Sequence, residues 1–255
     1  MNISSEQFIG ILRYVSLAII RGRGMYFIAS LITLVILGRV TLEVTPGLSE
    51  SAQAWGRAGV SNLGSILIFI MLFSVSSVGP RMFSPGAAGF FVGKPLSRAR
   101  LLTYLIITLN IVVALVMIAS FAPFLAAEQW LGAQTAAWDD VLLQILLEFA
   151  IFVVYSPLLV WLSIRLGSGS LAVMGCFVVW LGAWLVAVRE PFLGLIDNQV
   201  VVLTLNALYF ILPKSREISE LGLAGHWNFL PLLTSMAFAI AVWGIAVWRF
   251  REREF

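Results

Sequence analysis

The sequence predicts an all-α, polytopic membrane protein. Six transmembrane helices follow an N-terminal interfacial helix, and a short apolar segment on the outer side precedes the last span. Three observations predict this class. Of the 255 residues, 60% are hydrophobic and 11% charged, a balance outside the range of soluble domains. The apolar runs approach the roughly 20 residues that a helix rising about 1.5 Å per residue needs to cross a hydrocarbon core of about 30 Å. They lack the amphipathic stripes of helices buried in a water-soluble core, and the short alternating segments of a membrane β-barrel are absent.

Residues 1–24 predict no removable signal peptide, because Glu6, Arg13, Arg21 and Arg23 interrupt the stretch and no small-residue cleavage site follows a compact apolar core. At helical spacing, Glu6, Gly10, Arg13 and Arg21 fall along one face, while Phe8, Ile11, Leu12, Val15 and Ile19 fall mainly on the other. That pattern predicts a helix lying in the membrane surface and entering the first span after the Arg-Gly-Arg-Gly turn at 21–24. The six spans are Met25 to Glu43, Ser61 to Gly79, Leu101 to Ala127, Val141 to Ile164, Leu171 to Val188 and Phe229 to Trp248. No repeat period or low-complexity linker divides them, so residues 1–255 read as a single membrane domain.

Six spans place both termini on one side, and the basic residues say which. With a cytoplasmic N-terminus, the inner segments hold Arg13, Arg21, Arg23, Arg81, Lys94, Arg98, Arg100, Arg165, Arg249, Arg251 and Arg253. The outer set is Arg39, Arg57, Arg189, Lys214 and Arg216. This bias follows the positive-inside rule, so basic character here orients a membrane protein and argues against a nucleic-acid partner. Lys94, Arg98 and Arg100 mark the cytoplasmic mouth of the third span, Pro95 ends what precedes it, and Ser97 is placed to cap the helix that follows.

Val200 to Leu212 is apolar but short for a crossing, and it ends at Pro213 before KSREISE. A crossing here would put the FREREF terminus outside, so the expected form is a re-entrant or interfacial helix within an outer segment, 189–228.

Chemistry-bearing residues are sparse. Cys176 and His226 are the only members of their types, which rules out a cysteine- or histidine-rich metal site within one chain. GFFVGK at 89–94 fails as a phosphate loop: it has three residues between its glycines where four are needed, and Pro95 stands in place of Ser or Thr. The chain is therefore not expected to be an enzyme or to bind a cofactor. The sharpest intramembrane oddity is Glu148, which at mid-bilayer would cost about 2.5–3.5 kcal/mol if it faced lipid, and so must face other helices or water. It reads either as a substrate or proton contact or as a hydrogen-bonded packing contact. Asn110 and Ser163 are weaker versions of the same case, with packing favoured. Pro157 in the fourth span frees the carbonyl of Val153.

The order of parts resembles a family. A surface helix leads into six spans, GKPLSRARLL precedes the third, LNALYFILPKSREISELG falls between the fifth and sixth, and WRFREREF closes the chain. This is similar to the permease of an ATP-binding cassette (ABC) transporter of the type-2 exporter class, in its compact branch described as multi-copper enzyme maturation permeases. The resemblance covers nearly the whole chain. It implies a bacterial cytoplasmic (inner) membrane location with both termini cytoplasmic, two copies of a separate ABC ATPase, and a second permease subunit, identical or related. ATP and Mg would sit on that partner, and membrane lipid would surround the permease.

The resemblance also implies a cytoplasmic coupling loop, 80–100, in which Arg81 to Gly93 holds the ATPase-docking element. Phe83, Phe90 and Phe91 would be apolar anchors, with Lys94, Pro95, Leu96, Ser97, Arg98 and Arg100 forming the return into the membrane. The loop departs from the common pattern in carrying SPGAAG and no acidic residue. The outer segment 189–228 would cap or gate the exit. Two other readings are an ATP-independent channel or secondary carrier, which would place the work on Glu148, and a membrane-embedded enzyme or membrane scaffold subunit of a larger complex.

Overall fold

The computed structural model describes residues 5–45, 47, 68, 71–73, 75–76, 78–82, 98–130, 138–190, 198–221 and 228–251. Every element among them is a helix: α1 (Ser5–Ile20), α2 (Arg23–Val44), α3 (Val78–Met82), α4 (Arg98–Trp130), α5 (Trp138–Leu166), α6 (Gly169–Ala187), α7 (Gln199–Ile211), α8 (Ser215–Ser219) and α9 (Leu230–Arg251). Five of these, α2, α4, α5, α6 and α9, contain stretches long and apolar enough to cross a membrane. The protein is therefore helical and compatible with a multi-pass membrane protein. The expected second span, 61–79, lies largely outside the described residues. Its described positions are helical, and Ile68, Met71, Leu72 and Val75 are buried at helical spacing.

The chain divides into two compact units. One comprises Met1–Val75 and Ile107–Phe149, the other Ser76–Ile106 and Ala150–Phe255. In the first unit, α1 packs on α2. Its apolar face behaves as the sequence pattern requires, with Ile11, Val15 and Ile19 buried while Gly10 and Arg13 stay exposed. The helix stops at Ile20, and the turn closes through Gly22 N–H donating to Ile19 O at 3.0 Å. A side chain at Gly22 would meet that same carbonyl at 3.0 Å.

In the second unit, a short turn leads from the end of α5 straight into α6. Leu166 ends α5, Gly167 takes the left-handed φ of 61° that a non-glycine residue resists, and the Ser168 hydroxyl accepts from Leu171 N–H at 3.4 Å to cap α6. Within α5, Pro157 cannot donate to Val153 O, and the Ser156 hydroxyl donates to that carbonyl instead, at 3.1 Å.

Small residues set how closely these helices approach, as expected where van der Waals packing rather than water drives association. A methyl group at Gly79 of α3 would lie 2.4 Å from Ser163 Oγ on α5. Ser163, buried, donates to Val160 O at 2.9 Å. At Gly169, the first residue of α6, a methyl would lie 2.8 Å from the backbone carbonyl of Ser76. The outward faces remain apolar: Leu34, Leu37, Ile118, Leu146, Val178, Leu233 and Ile240 are each more than half exposed, a surface of the kind a bilayer can cover.

Two glycines separate close packing from mere smallness. Gly169→Ala pushes against backbone and should cost about 1–3 kcal/mol, lowering the melting temperature in detergent. At Gly175 the obstacle is the flexible end of Leu162, 2.7 Å away, and alanine gains about 0.5–1 kcal/mol of helix preference. Gly175→Ala should leave the melting temperature unchanged or raised.

Candidate functional site

The segment after α6 is built to stay folded at the end of a span. Asn198 Oδ1 accepts from Val200 N–H at 2.9 Å and caps α7. After the 13 residues of α7, Leu212 turns extended, as a residue before proline must, and α8 begins at Ser215. Both short helices pack against α6 and α9. Lys214 N–H, which has left the α7 ladder, donates to Ser235 Oγ of α9 at 2.8 Å in a buried bond. The short apolar segment at 200–212 therefore opens a helix–proline–helix hairpin, with Val200, Leu203, Phe210 and Ile211 of α7 well exposed.

Tyr209 is the centre of this hairpin's contacts. The Arg189 guanidinium carbon lies 3.6 Å from its ring centroid and Lys214 Nζ lies 4.0 Å from it, while its hydroxyl donates to Glu217 Oε1 at 2.6 Å. Arg189 also donates through Nε to Asn206 Oδ1 at 3.1 Å and through NH1 to Val186 O at 3.2 Å, so its charge sits where the last carbonyls of α6 are negative. One ring thus holds two cations whose mutual repulsion Glu217 offsets; each cation–ring contact contributes about 0.5–2 kcal/mol, rising with desolvation. Lys214 is only 7% exposed. Burial lowers its pKa below the ordinary lysine value, Arg189 lowers it further, and Glu217 opposes both. Burial raises the Tyr209 pKa, and the hydrogen bond to Glu217 reinforces that direction.

The residues that the sequence singled out fall elsewhere. Arg81 is exposed at the end of α3, Arg100 is exposed on the first turn of α4, and Arg98 begins that helix. All three belong to the second unit, as does the hairpin. Phe83, Phe90, Phe91, Lys94, Pro95, Leu96 and Ser97 lie outside the described residues, as does His226. Glu148 and Asn110 belong to the first unit. Glu148 is 1% exposed and accepts from Gln144 Nε2 at 3.0 Å, one turn earlier on α5. Asn110 Oδ1 is buried without a hydrogen-bond partner among the described residues. In the N-terminal segment, Arg13 and Arg21 are exposed and Arg23 opens α2.

Arg189, Asn206, Tyr209, Lys214, Glu217 and Ser235 were not legible as a site. The sequence marked all but Ser235 only as members of the segment 189–228, an apolar run, a proline and a charged run, with nothing to say that these side chains meet. Cys176 is buried as a free thiol, and no group of three or more His, Cys, Asp or Glu able to hold a metal ion exists among the described residues. The arrangement holds a hairpin in place and gives it a charge balance that can be disturbed. Comparison with protein-family models, with curated proteins and with solved structures found no match for this chain.

Linkage gives this balance a pH signature. Lys94 and Lys214 are the only lysines in the sequence. Between the depressed Lys214 pKa and the ordinary value of 10.5, the unfolded chain holds a proton that the folded one has released, so stability rises with pH. Above the ordinary tyrosine value of 10.0, Tyr209 retains a proton that the unfolded chain loses, and stability falls as pH rises. Melting temperatures in detergent should climb on the alkaline side and then turn down. Lys214→Met should flatten the climb, and Tyr209→Phe should weaken the downturn.

Proposed function

We propose that this chain is the membrane-spanning permease subunit of an ATP-driven exporter of the ABC type-2 class, with the α7–α8 hairpin as the gate at its outer exit. The observation that carries the reading is a run of direct contacts within the second unit. Trp243 Nε1 of α9 donates to Thr103 Oγ1 of α4 at 3.3 Å, less than two turns from Arg98. Eight residues earlier on α9, roughly 12 Å along the helix, Ser235 accepts from the Lys214 backbone. A displacement of the basic start of α4 therefore has a physical route to the hairpin through one helix.

The ends of this unit suit that role. Gly169 places the start of α6 against Ser76, beside α3 and its Arg81. Arg189 and Lys214 lie at the other end of α6, whose 19 residues rise about 28 Å, close to the thickness of a hydrocarbon core. In this reading Arg81 to Gly93 docks on the partner ATPase, Lys94 to Arg100 form the return, and nucleotide-driven closure of the ATPase moves α4 and α9. The hairpin then shifts against the outer ends of α6 and α9, releasing a substrate taken from the cytoplasm or inner leaflet. The exporter would contain two permease subunits and two ATPase chains in a bacterial cytoplasmic membrane, with ATP and Mg bound by the ATPases.

Purification of the tagged chain from its native membrane in mild detergent tests this reading. A stoichiometric ATPase should copurify with measurable ATP hydrolysis, and charge reversal of Lys94, Arg98 and Arg100 should remove it while the permease stays monodisperse. A stable preparation without an ATPase that transports in liposomes without ATP would overturn the reading and move the chemistry to Glu148.

A further inference from the structure

We infer that the first unit carries a binding site for one anionic phospholipid, its acyl chain in a groove between α1, α2 and α4 and its phosphate toward Arg13 and Arg21. The groove encloses about 500 Å³, within the range of small-molecule sites. Its walls are aliphatic: Ile28, Ile32 and Ile36 recur every turn along α2, and Val112 and Val116 face them from α4. The Thr33 hydroxyl at the groove donates to Ala29 O of its own helix at 2.8 Å, so it offers a methyl group and no free donor. A hydrocarbon occupant fits these walls and a polar solute does not.

Length and openness favour a single chain. Ile28 to Ile36 covers about 12 Å and Val112 to Pro123 about 16 Å at 1.5 Å per residue, comparable with one leaflet of a core about 30 Å thick. The exposed Ala29 and Ala119 leave one side open, so a lipid tail can enter laterally. Charge supplies the headgroup preference. On α1 the groove is lined by Ser16 and Ile20. Arg13 shares their stripe one turn earlier and Arg21 follows Ile20, and both arginines are exposed. Glu6 is the only acidic residue before Glu43. Two exposed cations flanking the α1 wall of an uncharged groove complement a phosphate, at about fivefold in affinity per arginine near a membrane surface.

The test is native mass spectrometry of the full chain released from nanodiscs containing equal phosphatidylglycerol and phosphatidylcholine. The wild type should retain one phospholipid per chain, enriched in phosphatidylglycerol by about tenfold or more. Thr33→Phe with Ala119→Phe replaces two exposed side chains and fills the groove, so the lipid should be lost while the chain stays monodisperse. Arg13→Gln with Arg21→Gln should keep a lipid but abolish the headgroup preference. Absence of a retained lipid in the wild type would overturn the inference, as would unchanged retention in the filled variant. A filled variant that instead loses a dimer would assign the groove to a second copy of the chain.

Discussion

The requirement on which the rest of this structure depends is that no backbone N–H or C=O be left unpaired in hydrocarbon. It forces the apolar segments into helices and concentrates difficulty at their ends and at their prolines. Several of these places have a local solution. Ser168, Asn198 and Asn228 accept from Leu171, Val200 and Leu230, Ser156 takes up the carbonyl that Pro157 abandons, and Arg189 reaches back to Val186 O at the end of α6. The same requirement explains how a helix too short to span can be kept at the end of a bundle. Its break at Pro213 is closed from outside by Ser235 of α9.

That closure ties electrostatics to position. Lys214 is buried because its backbone is held on α9, and once buried it needs partners that tolerate a desolvated cation. The Tyr209 ring and Glu217 supply them, at the cost of bringing Arg189 close. In a hairpin held this way, removing one charge or one ring unbalances the others. The α5–α6 turn is different. Gly167 and Ser168 fix the turn, and Gly169 fits against the Ser76 backbone without room for a methyl group. A close-packed end and a charge-balanced end on the same unit support the proposal that one docks a partner and the other gates.

Much of the helical class was legible because apolar run length is a one-dimensional signal. Five of the six expected spans correspond to helices of sufficient length, and Ile11, Val15 and Ile19 show that the amphipathic reading of α1 located its buried face. Run length argued against residues 200–212 as a span, and a 13-residue helix, Gln199–Ile211, stands there. The cluster around Tyr209 was not legible because its members come from residues 189, 206, 209, 214, 217 and 235, which only the fold at Pro213 brings together. Arg39 makes the same point: the sequence gives it as a charge at an outer helix end, whereas it is 1% exposed and paired with Glu43 one turn on. Glu148 was recognised as needing protection from lipid, and burial beside Gln144 meets that need. Periodicity alone could not name its partner.

The central claim is that the second unit runs through the bilayer, with Arg81 at the cytoplasmic end and the α7–α8 hairpin at the outer end. Single-cysteine labelling in a Cys176→Ala background tests it most directly, using Arg81→Cys and the exposed Glu220→Cys with a membrane-impermeant maleimide. The account predicts that Glu220→Cys reacts from the outer face of sealed vesicles and that Arg81→Cys reacts only from the inner face. Labelling of both positions from the same face would contradict it.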